Sequence, residues 1–521
     1  MGTRGDVFAR ARAVVPVLFF AWLGVMALAC GGGATMGERA PGRDKYVEPG
    51  AFGTRDDAGV LYNGDAAVFT DAGGFNPAAA SLGAIAVDDR DEAAFVMQAF
   101  PITEGIVDGG WGRENRTLWR VRPDGEVREV GRFDDSRDAR VLFPSSGVLV
   151  MTEPTGGACV DADCEQLRLY ERGSLRELAR RDVPLRYHGT RMSGTRRYIA
   201  VADNTAEHAP IHIIDALTLE SHVIPHGGDW LEAMWLNRSD RLLAVVFDDR
   251  GARILAWDVP LLANHGFAVE DQVWARPSLD LRVPGVSADG YFSYTWVGVS
   301  PDDRYAVFPV LADVSDAGVF ESTHRLLVLD LLEGSLRTVN DARGPVGFTP
   351  DGSTIVSYRA NPAPILGPDR GGPASLVLID ARSLESEVIT LPFEKGRVPT
   401  FFVTREGHRV AVTDNGRELV LYDLEMRRLT RVEGDASWLG EFVSRLGHNE
   451  LYLLDDGLHR LDLSAETLSR VTLDWTPRHI NILPARDQLV LDRPGENALS
   501  FWDLSTQSLS RTVTLPVPTP R

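Results

Sequence analysis

The stretch TFFVTREGHRVAVTDNGRELVLYDLEMRRLTRVE, Thr400–Glu433, decides the fold. It reads as four short strands joined by three tight turns. Phe401–Thr404 is the first strand, and Arg405-Glu406-Gly407-His408 is a polar turn. Arg409–Asp414 sets Val410 and Val412 against Arg409, Ala411 and Thr413, the period-2 pattern of a strand and of no helix. Asn415-Gly416 tolerates positive φ at both positions and so marks a two-residue hairpin. Leu419–Leu424 is the third strand, Glu425-Met426-Arg427-Arg428 the next turn, and Leu429–Val432 the last strand. A single meander of this size cannot bury both faces of its sheet. It requires neighbours of its own kind.

The chain supplies them. Thr295–Val299 leads into Ser300-Pro301-Asp302-Asp303, then Tyr305–Val310, Leu326–Asp330 and Ser335–Val339. Val346–Phe348 leads into Thr349-Pro350-Asp351-Gly352 and then Leu376–Asp380. An aspartate closes the third strand of successive units at Asp215, Asp258, Asp330, Asp380, Asp423, Asp462 and Asp503. Two earlier hairpins, Thr117–Val130 and Gln166–Leu178, keep the pattern without it. Units of about 40–50 residues with four strands each are the signature of a β-propeller. The spans are 81–134, 139–184, 187–226, 230–284, 291–340, 345–393, 398–434, 438–474 and 477–516.

These units resemble bacterial WD-repeat-like, YVTN and TolB-type propeller repeats, on the strength of the SPDD and TPDG turns and the strand endings LVLYD, LLVLD and SFWD. The resemblance covers about four-fifths of the chain and implies a scaffold, not an activity. The Gly-His and Trp-Asp pattern of eukaryotic WD repeats is missing, since Gly407-His408 and Gly447-His448 fall in the inner turn. The expected fold class is therefore all-β, a single β-propeller of four-stranded antiparallel blades, eight or nine in number. Propellers commonly have four to eight blades. Either the ring has nine, or one unit lies outside a ring of eight. The first unit, interrupted at Pro101–Asn115, is the expected outsider. Two units carry insertions: Leu261–Tyr294 extends the fourth or its exit loop, and Asn361–Gly372 interrupts the sixth.

The N-terminal residues carry a different message. Arg4, Arg10 and Arg12 precede an apolar run, Ala13–Ala29, which ends in Ala27-Leu28-Ala29-Cys30. This resembles a bacterial lipoprotein signal peptide (1–29), which implies cleavage before Cys30 and lipidation of its thiol. A plain secretory peptide or uncleaved anchor, and a buried helix, are the competing readings. Gly31, following Cys30, is not the aspartate of inner-membrane retention, so the resemblance favours the outer membrane. Residues 30–80 read as a flexible tether with a reach of ~40 Å, although Gly59–Thr70 could add a strand to the ring or plug one face. Pro516–Arg521 cannot continue a strand, which leaves 517–521 as a tail.

Outside a reducing compartment, Cys159 and Cys164 form an even pair in a Gly- and Asp-rich loop, read as a small disulfide-closed loop. Metal binding by these cysteines with Asp161 and Asp163 is the weaker alternative, because no second Cys/His pair accompanies them. The formal charge of −20 repels phosphate backbones and excludes nucleic acid as a partner. It serves equally as a solubility device.

The search for chemistry finds no GxGxxG, phosphate-binding Gly-Lys-Ser/Thr loop, GxSxG or HExxH. His208 and His212 enter a strand, where four residues separate them by ~13 Å, too far to chelate one ion. Seven repeated strand-end aspartates cannot all be one catalytic acid, and they read as acceptors for the next turn's backbone. Acidic turns such as Asp88-Asp89-Arg90-Asp91-Glu92 and Asp248-Asp249 lack the calcium-loop order and read as solvated. Asp229, Trp230, Trp296, Trp438, Asp474 and Trp475 stand just before inner strands. A ring of indoles and carboxylates at one mouth suits a sugar, a cationic group or a peptide. The competing reading is that the tryptophans pack between blades.

The expectation is an envelope-anchored lipoprotein whose propeller is a non-catalytic binding or scaffold module for an envelope protein or glycan. It has no cofactor and touches the membrane only through its N-terminal lipid. The alternatives are a propeller hydrolase or lactonase with an acidic or metal site in the channel, and an assembly partner of an envelope complex. Convergence of Asp, Glu or His at the channel mouth would favour catalysis. A large apolar patch on the outer wall would favour assembly.

Overall fold

Nine four-stranded antiparallel blades succeed one another along the chain and form a β-propeller. The computed structural model describes residues 67–68, 81–88, 90–101, 114–154, 165–183, 191–202, 211–224, 230–264, 276–284, 286, 291–292, 297–314, 320–359, 374–393, 400–404, 408–413, 418–433, 442–445, 449–454 and 457–517. Cys30, Cys159, Cys164 and His208 lie outside these residues.

The stretch that opened the sequence reading forms the seventh blade, with strands A to D at Thr400–Val403, Arg409–Thr413, Leu419–Asp423 and Arg428–Val432. Val403 opposes Val410, Val412 opposes Val420, and Tyr422 opposes Leu429. The period-2 pattern has a meaning beyond inside and outside. Val410, Val412, Val420 and Tyr422 pack towards blade 6, whereas Ala411, Leu419 and Leu421 pack towards blade 8. Both faces are buried, so strands B and C read as near-continuous apolar runs. The outermost strand D alternates instead, as in Ser386–Thr390 of blade 6, where every second residue is exposed.

Nine apolar clusters fill the nine interfaces between neighbouring blades. Eight join consecutive blades. The ninth joins the last blade to the first: Leu483, Val490, Leu499 and Phe501 of blade 9 pack on Leu82, Ile85, Val96 and Trp119 of blade 1. The first unit is therefore a full member of the ring, and the eight-bladed alternative is excluded. No strand is exchanged across this seam, since blade 1 holds only early residues and blade 9 only late ones. Polar links reinforce it. Asn481 Nδ2 donates to the Ile85 carbonyl at 2.7 Å, and Gln98, fully buried, donates to Asn497 Oδ1 at 2.7 Å while accepting from the Trp119 indole at 2.6 Å.

Blades 1 and 2 share one continuous strand, Val127–Leu142, which serves as D of the former and A of the latter. Elsewhere strand A lies nearest the axis, where the first strands of neighbouring blades approach one another, as Phe442–Arg445 approaches Ile480–Leu483. The A–B and C–D connections share one end of the ring, here called the turn face. The B–C and D–A connections share the other, the loop face. The Leu261–Tyr294 insertion proves to be divided. It holds most of a short helix, Val259–Asn264, on the turn face, then strand D itself, Leu279–Arg282.

The strand-end aspartates do what their repetition implied. Asp423 Oδ1 accepts the backbone N–H groups of Glu425 and Met426 at 3.0 and 2.8 Å, and Asp462 accepts those of Ser464 and Ala465 at 2.9 Å each. Asp215, Asp258, Asp330, Asp380 and Asp503 hold their own C–D turns in the same way. At Asp380 and Asp503 these bonds favour the ionised form. The hydrogen bonds from Ser505 and Thr506 take Asp503 down to about 2 from an ordinary 3.8, and the Ser383 N–H lowers Asp380.

Two outcomes follow from the packing and the turns. Phe501→Ala empties a fully buried site in the closing seam and should cost about 3–5 kcal/mol in denaturant unfolding, in one cooperative transition. A loss near zero would mean that the seam does not close. Asp380 and Asp503 ionise below their unfolded value, so their stabilisation is complete above about pH 4 and drains away as pH falls towards 2. Asp503→Asn should therefore lower stability at pH 7 by about 1 kcal/mol and leave it unchanged near pH 2, as measured by thermal unfolding across that range.

Candidate functional site at the loop face

Charged groups on the turn face join strand to strand and blade to blade. On the turn face, Asp88 and Asp91 are buried and neutralised, so this acidic turn is not solvated as its composition suggested. Arg172 Nε lies 2.6 Å from Asp88 Oδ2, and Arg120 Nε and the Arg122 guanidinium lie 2.6 Å from the two oxygens of Asp91. Burial lowers the Arg120 pKa even though Asp91 opposes the shift. Similar bridges recur between blades. Thr195 Oγ1 donates to Asp240 at 2.6 Å, and the N–H groups of Asn237 and Arg238 donate to Asp303 at 2.6 and 2.9 Å. Between blades 8 and 9, Arg445 joins Glu450 to Asp487, while Arg460 and the Tyr452 hydroxyl complete the shell around Glu450. Burial pushes Glu450 up, but the hydrogen bonds from Arg460 and Arg445 outweigh it and hold the carboxyl below its usual range.

These carboxylates are used up in holding blade to blade. Among the described residues, no group of three or more His, Cys, Asp or Glu side chains is placed to hold a metal ion. Asp248 is likewise committed, with Arg282 at 2.6 Å and Arg253 nearby, and the Arg282 hydrogen bond depresses its pKa. His212 is half-buried in strand Ile211–Asp215, its Nδ1 3.4 Å from Ser221 Oγ.

Long connections occur at both ends: on the turn face Asp258 to Leu279 in blade 4, and on the loop face those of blades 6 and 7. In blade 6, strand B ends at Arg359 and strand C starts at Ser375; in blade 7, strand A starts at Thr400, well after Thr390 ends blade 6. Of the six aromatic and acidic candidates, Trp230, Asp474 and Trp475 are described, and they fall at this end, on the approaches to strand A. Trp230 begins strand A of blade 4, Trp230–Trp235. Asp229, Trp296 and Trp438 lie outside the described residues, in connections that lead to strands A of blades 4, 5 and 8.

Asp474 and Trp475 are described in full, on the approach to strand A of blade 9. The Trp475 indole donates to the Asp492 carbonyl at 3.0 Å, and its ring packs beside the cluster between blades 8 and 9. The Arg493 guanidinium lies 4.2 Å from the ring centroid, with Asp474 Oδ1 at 3.3 Å and Glu496 Oε2 at 3.4 Å. Beneath this stack, the fully buried Asp492 accepts the N–H groups of Arg478 and His479 at 2.6 and 2.8 Å. The packing reading and the recognition reading thus meet at one residue. Trp475 is anchored by its N–H, which fixes the half-buried indole, the exposed Asp474 carboxylate and the guanidinium as a rigid surface group. Such a group offers a π face and hydrogen-bonding oxygens to a sugar hydroxyl or a cation.

Sequence reasoning located Asp474 and Trp475 but missed the Asp492–Arg493 pair that positions them. Their signal was present: Asp-Arg at the end of an apolar strand, where a buried carboxylate needs a donor. Asp492→Ala would strip the acceptor from two buried N–H groups and should cost about 2–3 kcal/mol. Arg493→Ala should cost less and leave the fold intact, while the Trp475 fluorescence shifts as its cationic neighbour goes. An Asp492→Ala protein as stable as the parent would dismiss Asp492 as the support of this loop.

No protein-family profile matches the sequence, and no curated protein matches it. Among solved structures, the chain is similar to the dihydro-heme d1 dehydrogenase NirN in complex with DHE, at 14% identity over 68% of this chain and 72% of that one, TM-score 0.42. It is similar to apo AztD from Citrobacter koseri, at 14% identity over 67% of this chain and 92% of that one, TM-score 0.39. It is also similar to the Cps50 (Swd1) β-propeller domain from Myceliophteria thermophila, at 13% identity over 60% of this chain and 96% of that one, TM-score 0.33.

Proposed function

We propose that this protein is a binding module of the bacterial cell envelope, tethered by a lipid on Cys30, that recognises a protein or glycan through the loop face of its propeller. The Trp475–Arg493–Asp474 group, with its exposed carboxylate on the loop face, carries the reading. It stands on the approach to strand A of blade 9, and the sequence puts the other aromatic and acidic candidates just before inner strands of blades 4, 5 and 8. Binding residues concentrate on such loops when a rigid scaffold holds them. The Trp475–Arg493–Asp474 group is one fixed part of that surface.

Catalysis is the second class considered, and its cue would be several titratable groups converging at a mouth. The buried carboxylates Asp88, Asp91, Glu450 and Asp492 are instead paired with arginines or backbone N–H groups. The cue for assembly through the outer wall would be a large apolar patch. The exposed large apolar residues are instead spread over the blades, among them Leu217, Leu332, Val388, Met426 and Leu509.

The test places a photo-activated cross-linking residue at Asp474 on the loop face or at Leu332 on the turn face, in the full-length protein within native envelopes. A reproducible adduct from Asp474 and none from Leu332 is expected, and its composition distinguishes a protein from a glycan. Adducts from Leu332 alone, or from neither position, would overturn the loop-face reading. Cys30→Ala should move the protein from the membrane to the soluble fraction. Unchanged membrane association would remove the lipid from this proposal.

A further inference from the structure

One strand belongs to no blade's meander. Ala67–Val68 pairs with the inner edge of blade 2, antiparallel to strand Val127–Leu142, with Ala67 opposite Val141 and Val68 opposite Arg140. The other edge of that strand is already taken, since Arg140 and Val141 also face Met151 and Val150 of strand B. The added strand therefore lies on the side of the channel, where it also approaches strand Ser81–Asp88 of blade 1. Inner strands present a row of unpaired N–H and C=O groups, and such an edge accepts a further strand. A ring of nine blades leaves more room at its axis than the commoner rings of four to eight.

The direction of this strand carries the inference. Strand A of every blade ends at its A–B turn, so it runs from the loop face to the turn face. Ala67–Val68, antiparallel to it, runs from the turn face to the loop face. That is the end at which Ser81 begins blade 1. We propose that Ala67–Val68 threads the channel as an inner strand of blade 2, running from the turn face towards the loop face, where Ser81 begins blade 1. The channel is then occupied by the protein's own chain and is not a through-passage for ligand.

The pairing is tested by disulfide trapping in the full chain with Cys159 and Cys164 replaced by Ser. Directly opposed residues of an antiparallel ladder lie about 4.5–5.5 Å apart at Cα, within disulfide reach. Ala67→Cys with Val141→Cys should give an oxidised form of altered mobility on a non-reducing gel, reversed by reductant. Ala67→Cys with Phe402→Cys, on the inner strand of blade 7, should give none. Absence of the first cross-link, or equal yield of both, would overturn the threading. Because Val141 is buried, slower alkylation of the single Ala67→Cys protein in its native state than in urea is the check that requires no core substitution. Equal rates would also count against the threading.

Discussion

A blade of this ring is a thin sheet with two greasy sides, and neither side can face water. Strands B and C are apolar along almost their whole length, as in Leu419–Asp423, where every residue is buried. Each blade must therefore be clasped by a neighbour on both sides, and a linear stack would leave two faces bare. Closing the circle is the only arrangement that covers them all. The cluster between blades 9 and 1 is thus the same kind of interface as the other eight, distinguished only by joining the two ends of the chain. With no strand exchanged there, side-chain burial and a few hydrogen bonds carry the closure.

Electrostatics work on a finer scale. Arginines from one blade reach the turn of the next: Arg181 to the Leu219 carbonyl, Arg337 to the Arg382 carbonyl, Arg428 to Glu466, and Arg511 across the closing seam to the Asp124 carbonyl. The guanidinium is suited to this task because it reaches far and donates several hydrogen bonds in a fixed fork. Such arginines also sit on the outermost strands, where charge discourages edge-to-edge pairing with other molecules. An acidic chain thus spends part of its basic complement on its own perimeter and junctions.

Much of this was legible in the chain. The four strands within Thr400–Glu433, the spacing of the strand-end aspartates and the SPDD and TPDG turns each need only neighbouring residues to be understood. Their physics is local: alternation, turn chemistry and an aspartate that bonds to the N–H groups just after it. The acidic turn at Asp88–Glu92 could not be read that way, because its neutralising partners, Arg120, Arg122, Arg172 and Arg486, come from other strands and other blades. The support of Trp475 was hidden for the same reason, since Asp492 and Arg493 lie beyond the strand that Trp475 introduces.

Strand, turn and repeat followed from the sequence by itself, and with them the propeller, since hydrophobic period and turn residues act over a few positions. The number of blades, the inclusion of the first unit and the course of Ala67–Val68 were decided only in three dimensions. Gln98 and Asn497 meet although 399 residues separate them. No local pattern in either segment names the other. The contact arises because the accumulated rotation of nine similar sheets brings the first and last apolar faces together, where burial rewards their meeting.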